Sequence, residues 1–207
     1  IMDLSHHRVQ YLKSSFKEDS AAANPIEQFD IWFHNAIEQN VTESNAMILS
    51  TSMDNKPSSR VVLLKEYTEK GFCFFSNYSS RKGKELESNP NASLLFFWKE
   101  LEQQVRIEGR IEKLSAESSD NYFYTRPKES QIGAIISPQS SLIPNRQYLE
   151  EKFSNFDHSQ IVRPKEWGGY LLIPTAIEFW QGGAHRIHDR LLYTLENEHW
   201  KINRLAP

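Results

Sequence analysis

AMILSTSMDNKPSSRVVLLKEY, residues 46–67, carries the clearest architectural signal in this chain. AMILSTSM (46–53) and SRVVLLKEY (59–67) are apolar-rich runs of strand length, and Asp54, Asn55, Lys56 and Pro57 between them are turn formers. The pattern predicts a β-hairpin. GFCFFSN (71–77), SLLFFW (93–98) and QQVRIEGRIEKL (103–114) extend the strand series. Helical patterns follow at 115–125, 129–136 and 145–156, and GGYLLIP, AIEFWQ, LLYTLE and WKINRL return to strand. Many antiparallel strands with a few interspersed helices predict a mainly β fold, a closed or split β-barrel with helices packed on it.

On the N-terminal side a helix is predicted from Asn24. Asn24 can cap it, Pro25 suits the first turn, and Glu27 sits where a capping box places its acid. Ile26, Phe29, Trp32, Phe33, Ala36 and Ile37 then share one apolar face. Residues 2–23 are polar and weakly patterned. The expected organisation is an N-terminal arm over 1–23, partly flexible, followed by a single domain over 24–207.

A chain of 207 residues, 39% hydrophobic and 12% aromatic, can bury one substantial core. A net charge of −3 argues against a general nucleic-acid or membrane-surface binder, so the basic residues act locally. Cys73 is the only cysteine, which excludes an intrachain disulfide and fits a reducing compartment. No apolar run reaches the length of a spanning helix and no secretory leader is read, so the expected location is cytoplasmic.

Three segments carry candidate chemistry. In QGGAHRIHDR (181–190), Arg186, His188 and Arg190 share one side if the segment is extended, a cluster suited to an anion or a phosphorylated small molecule, or else a solvated hairpin end. In SSRKGKELESNP (79–90), Ser79 or Ser80 can cap a short helix whose first turn holds Arg81 and Lys82. Cations are unfavourable at that end unless an anion sits there, so the segment is either solvated or a phosphate site. In YFYTRPKES (122–130), Tyr122, Arg126 and Ser130 are spaced by four, with Pro127 placed to interrupt the helix. Arg60 and Lys65 flank an apolar strand with opposite parity and should leave opposite faces. His185 and His188 lack the acidic and cysteine partners of known zinc patterns, so no metal is expected.

RVVLLK (60–65), SRKGKELESNP (80–90), LEQQVRIEG (101–109), YFYTRPKESQIGAIISPQSS (122–141), EFWQGGAHRIHDR (178–190) and WKINRLAP (200–207) together, in this order and spacing, resemble the pyridoxamine 5′-phosphate oxidase family. The resemblance runs from about Ala46 to Pro207 and is weaker in the arm. It implies an FMN-binding split β-barrel, antiparallel and Greek-key-like, working as a homodimer with FMN at the subunit interface. It also implies oxidation of pyridoxamine or pyridoxine 5′-phosphate to pyridoxal 5′-phosphate, with dioxygen as acceptor and hydrogen peroxide as by-product.

Residue by residue, the resemblance implies that Arg60, Val61, Val62, Leu63, Leu64 and Lys65 line FMN, followed by Phe75 and Ser76. Arg81 and Lys82 would grip its phosphate. Gln104 would hydrogen-bond the flavin, as would Gln139 and Ser140 from the other subunit, and Trp180 and Arg190 would complete the pocket. Lys65, Tyr122, Arg126 and Ser130 would hold the substrate phosphate. Arg186 and His188 would face the reacting carbon, and Arg8 and Tyr11 would close over the site. The chain departs from common family choices at Phe75-Ser76, at Ala184 and at Val9.

Overall fold

The computed structural model of the chain describes residues 2–6 and 10–207; Arg8 and Val9 lie outside the described residues. Among these, the order is α1 (Pro25–Glu38), β1 (Ala46–Met53), β2 (Lys56–Leu63), β3 (Glu66–Thr68), β4 (Gly71–Asn77), α2 (Arg81–Ser88), β5 (Asn91–Trp98) and β6 (Gln103–Lys113). It continues with α3 (Ala116–Thr125), α4 (Lys128–Ile136), α5 (Gln147–Ser154), β7 (Trp167–Gln181), β8 (Asp189–Glu196) and β9 (His199–Arg204). The sheet order is β2-β1-β5-β6-β7-β4-β3, with β8 on β7 and β9 on β8. The ladders β3–β4, β4–β7, β7–β8 and β8–β9 are antiparallel. The fold is mainly antiparallel β with helices, and the strand order does not return on itself, as a split barrel requires. No helix of the described residues is long and apolar enough to cross a membrane.

Local chemistry accounts for the element boundaries. Asn24 Oδ1 accepts the Ile26 N–H at 2.8 Å, starting α1 with Pro25 in its first turn. Asp54 and Asn55 both take positive φ, 51° and 60°, and form the β1–β2 turn. Lys56 and Pro57, expected in that turn, already belong to β2, whose place at the end of the sheet order tolerates a proline. The strand expected over 59–67 breaks at Leu64 and Lys65, where the Lys65 N–H donates to the Cys73 carbonyl at 2.9 Å. The two strands expected around Pro174 are one strand, β7. It pairs with β4 through Leu172 and with β8 from Ala176, so the missing proline N–H falls between two ladders.

Contacts divide the chain into two compact units. The first comprises the residues up to Leu49, Ser93–Gly109 and Pro174–Pro207. Its core packs Phe29 of α1 5.1 Å from Phe96, and Trp32 5.2 Å edge-on to Phe179. Phe16 of the arm is buried 5.1 Å from Trp32. Burying each such ring stabilises the unit by about 1.5–3 kcal/mol. Ile37 departs from the expected apolar face and is 50% exposed, because Phe29, Trp32 and Ala36 form the seated stripe and Ile37 lies beside it.

The second unit comprises Ser50–Ala92 and Arg110–Ile173. Phe72 and Phe74 of β4 are fully buried, and Phe74 stacks 5.3 Å from Tyr170. The Ser115 hydroxyl accepts the Ser118 N–H at 3.0 Å and caps α3. Arg126 ends that helix in an extended conformation before Pro127, so the chain turns there and restarts as α4.

Candidate active site

The second unit builds a cation-lined hollow from α2 upward. Ser80 Oγ accepts the Gly83 N–H at 3.3 Å and caps α2, which puts Arg81 and Lys82 in its first turn. The two cations diverge. Arg81 is exposed, and its Nε donates to Glu85 Oε1 at 2.8 Å. Lys82 turns inward and is only 8% exposed. Its Nζ donates to Ser76 Oγ at 3.1 Å, Gln139 Oε1 at 3.3 Å and Ser80 Oγ at 3.4 Å, all neutral acceptors. Burial, then the charge of Arg60, push the Lys82 ammonium below the usual lysine range, with Glu85 opposing.

A cavity of about 660 Å3 opens beside Lys82. Arg60, Val61, Val62, Leu63, Lys65, Phe75, Ser76, Tyr122, Arg126, Ser130 and Gln139 line it with Lys82. The fold thus brings these twelve expected site residues to one place. Arg60 and Lys65 both reach it, contrary to the parity expectation, because β2 ends at Leu63 and the backbone bends before Lys65. Leu64 is instead a core residue at 4% exposure, Arg81 is not among the lining residues, and Ser140 is exposed with φ 70°. Gln139 faces the cavity of its own chain.

Arg126 is the second inward cation. Its guanidinium lies 4.7 Å over the Trp167 ring and 5.9 Å over Phe123. Burial pushes its pKa below the ordinary arginine value, and its Nη1 is buried with no hydrogen-bond partner. A buried donor of this kind costs about 1–3 kcal/mol unless something fills it. Tyr122 stacks on Phe75 with ring centres 3.9 Å apart, giving the cavity an aromatic wall.

Two residues that the sequence did not signal as site residues organise these groups. Trp167 carries Arg126. Glu85 is 2% exposed and accepts from Thr51 at 2.6 Å, Ser58 at 2.7 Å, Arg60 at 2.9 Å and Arg81. Burial opposes its ionisation, but the Thr51, Ser58 and Arg81 hydrogen bonds and the Arg60 charge outweigh it and bring its pKa to about 2. The feature that could have found Glu85 is its four-residue spacing from Arg81 on α2.

The remaining expected residues lie in the first unit, around the β7–β8 connection. That segment is not extended: His185 and Arg186 take positive φ of 56° and 63° within a tight turn. Alternation therefore fails, and Arg186, His188 and Arg190 point to different surroundings. Arg186 is exposed. His188 packs 4.8 Å from Trp180 and 5.9 Å from Tyr11. Its Nδ1 accepts the Gly183 N–H at 3.1 Å, which leaves Nε2 as the position that can carry a ring proton outward. Arg190 donates from Nε to Glu178 at 2.7 Å and from Nη1 to the Ala206 carbonyl at 2.8 Å. Glu178, 3% exposed, also takes Arg106 at 2.6 Å. It was detectable as a lone acid in the apolar run AIEFWQ, since such charges are seldom buried unpaired. Gln104 is half-buried on β6 next to Gln103, whose Nε2 donates to Gln181 at 3.0 Å.

Residues 33–159 match the family model of pyridoxamine 5′-phosphate oxidase, and residues 167–207 match that of the pyridoxine 5′-phosphate oxidase C-terminal dimerisation region. The chain is 50% identical to a pyridoxine/pyridoxamine 5′-phosphate oxidase of Nostoc sp. over 97% of its length and 96% of the relative's. It is 51% identical to the enzyme so named in Paraburkholderia xenovorans, covering 99% of both chains. Among solved structures, PhzG of Burkholderia lata, in complex with tetrahydrophenazine-1-carboxylic acid, superposes with a TM-score of 0.89 at 30% identity, covering 95% of this chain and 99% of that one.

Proposed function

Because this chain belongs to the pyridoxamine 5′-phosphate oxidase family, we propose that it oxidises pyridoxamine 5′-phosphate and pyridoxine 5′-phosphate to pyridoxal 5′-phosphate, as a homodimer. The structural observation that carries the reading is the pair Lys82 and Arg126. Both are inward-facing cations on one cavity, and neither forms an ion pair among the described residues. Such a lining calls for phosphate.

The residues fit FMN. Lys82 with Ser76 and Gln139 would hold its phosphate, and Arg60, Val61, Val62 and Leu63 would run along it. Bound flavin would take two electrons from the substrate and hand them to dioxygen. The chain's own groups bind and orient. Lys65, Tyr122, Arg126 and Ser130 would hold the substrate phosphate, which fixes the carbon to be oxidised in one place. The stacked rings of Tyr122, Phe75 and Trp167 would exclude water from that side. Trp180, Arg186, His188 and Arg190 all fall in the segment that matches the dimerisation region, so they are suited to complete a site at the subunit interface. There Arg186 would steady charge at the reacting centre, and His188 would offer an Nε2 proton to the substrate.

Anaerobic mixing with pyridoxamine 5′-phosphate, read as bleaching of flavin absorbance, tests these assignments. Arg126→Ala is expected to raise the substrate concentration needed by roughly tenfold or more, because it removes ground-state binding. Arg186→Ala is expected to slow bleaching at saturating substrate, with flavin content near wild type in both variants. Bleaching of Arg186→Ala at the wild-type rate would remove its role in the reaction.

A further inference from the structure

The arm is fastened to the first unit by two carboxylates, Glu102 and Asp189, that take no part in the proposed reaction. Glu102 Oε2 accepts the backbone N–H of Leu12 at 2.9 Å and of Lys13 at 3.0 Å, and the Lys13 ammonium donates to the Glu100 carbonyl. Further along, Asp189 Oδ2 accepts the Phe16 N–H at 2.9 Å, while Asp189 Oδ1 holds Arg204 at 2.7 Å. Phe16 itself is in the core, so the second fastening coincides with a hydrophobic anchor. Glu102 has no such anchor beside it: Leu12 is 69% exposed, and Lys13 is exposed too.

Immediately before the Glu102 fastening stands Tyr11. Its ring lies edge-on to Trp180 at 5.6 Å and to His188 at 5.9 Å. It fits there because position 182 is glycine: a Cβ on Gly182 would come 2.7 Å from Tyr11 Cγ and 3.1 Å from Glu102 Cβ. The Gly182 N–H donates to the Glu102 carbonyl at 2.8 Å. Glu102 therefore grips the arm with its side chain and the β7–β8 connection with its backbone. Its φ of 56° is the left-handed conformation that aims the carboxylate at the arm.

We propose that Glu102 is a positioning residue: its carboxylate latches the arm at Leu12 and Lys13 so that Tyr11 is held against His188 and Trp180, and it influences the oxidation only through Tyr11. The inference rests on the reading of His188 and Trp180 as part of the oxidase site. A carboxylate accepting two backbone N–H groups forms charge-assisted hydrogen bonds, stronger than neutral ones. Without it, the exposed Lys13 contact and the edge-on packing of Tyr11 are what hold this stretch among the described residues, and Tyr11 is loosened.

The experiment uses flavin-loaded full-length protein with Glu102→Asn, Glu102→Gln, Tyr11→Ala and the double variant Glu102→Asn/Tyr11→Ala. Asparagine tolerates the left-handed backbone but is too short and uncharged to keep the latch. Trypsin cleavage after Lys13, followed by mass spectrometry, reads arm release without reference to the reaction. It should be roughly tenfold faster in Glu102→Asn, the loss expected for about one charge-assisted hydrogen bond. Glu102→Gln keeps the reach and an acceptor oxygen but loses the charge, so its cleavage should fall between wild type and Glu102→Asn. KM for pyridoxamine 5′-phosphate should rise in Glu102→Asn with flavin content unchanged, and should not rise further when that change is added to Tyr11→Ala. Wild-type cleavage in Glu102→Asn would overturn the latch. A full KM effect of Glu102→Asn in the Tyr11→Ala background would overturn its action through Tyr11. An inactive wild-type protein would instead defeat the oxidase assignment, while the proteolysis result would still decide the latch.

Discussion

Glu85 shows how one buried charge organises a binding surface made of cations. It sits between Arg60 and Arg81 and is satisfied on both oxygens. Its pKa of about 2 lies below the ordinary 4.5, so its ionisation stabilises the fold above pH 4.5, and that stabilisation is lost as pH falls from 4.5 through about 2. The contribution at neutral pH is about 3 kcal/mol, since each tenfold change in proton affinity corresponds to roughly 1.4 kcal/mol. Glu85→Gln should lose about that much stability at pH 7 and show a flatter stability profile below pH 4.5, checked by urea unfolding across that range. Equal slopes for the two proteins in acid would contradict the assignment. The sequence made the cations and aromatic residues of the cavity legible through the family resemblance. It did not show that Glu85 pairs with Arg60 or Glu178 with Arg190, because each pair joins residues of different elements.

At the scale of elements, α2 is placed by its close approach to the end of β4. A Cβ added at Gly83 would lie 2.0 Å from the Tyr78 carbonyl oxygen, a backbone atom that cannot swing aside. Gly83→Ala should therefore push the first turn of α2 outward and take Lys82 with it. Overpacking of this kind costs roughly 1–3 kcal/mol. Thermal melting should show the loss of stability, and calorimetry should show weaker FMN binding; an unchanged affinity would mean that Lys82 does not depend on the seating of α2. Most strands and helices were legible from apolar patterning and from the caps Asn24, Ser80 and Ser115. Three features were not. The break at Leu64-Lys65 has no glycine or proline to mark it. Pro174 reads as a stop, yet falls where β7 changes partners. The alternation expected over 186–190 failed because His185 and Arg186 adopt the left-handed conformation, which side chains of their size seldom signal.

Across the whole molecule, the cavity residues are concentrated in one compact unit, and the Trp180, Arg186, His188 and Arg190 group in the other. The second group lies in the segment that matches a dimerisation region. Family membership and strand content were legible from sequence, whereas which residues share a cavity required the fold. The central claim is that this assembly oxidises a phosphorylated pyridine amine or alcohol to the aldehyde at the expense of dioxygen. The most direct measurement mixes purified protein with pyridoxamine 5′-phosphate in air and follows aldehyde and hydrogen peroxide together. The protein should be yellow, and the two products should accumulate in equal amounts until substrate or oxygen is exhausted. Substrate recovered unchanged with flavin-loaded protein, or aldehyde formed without peroxide, would contradict it.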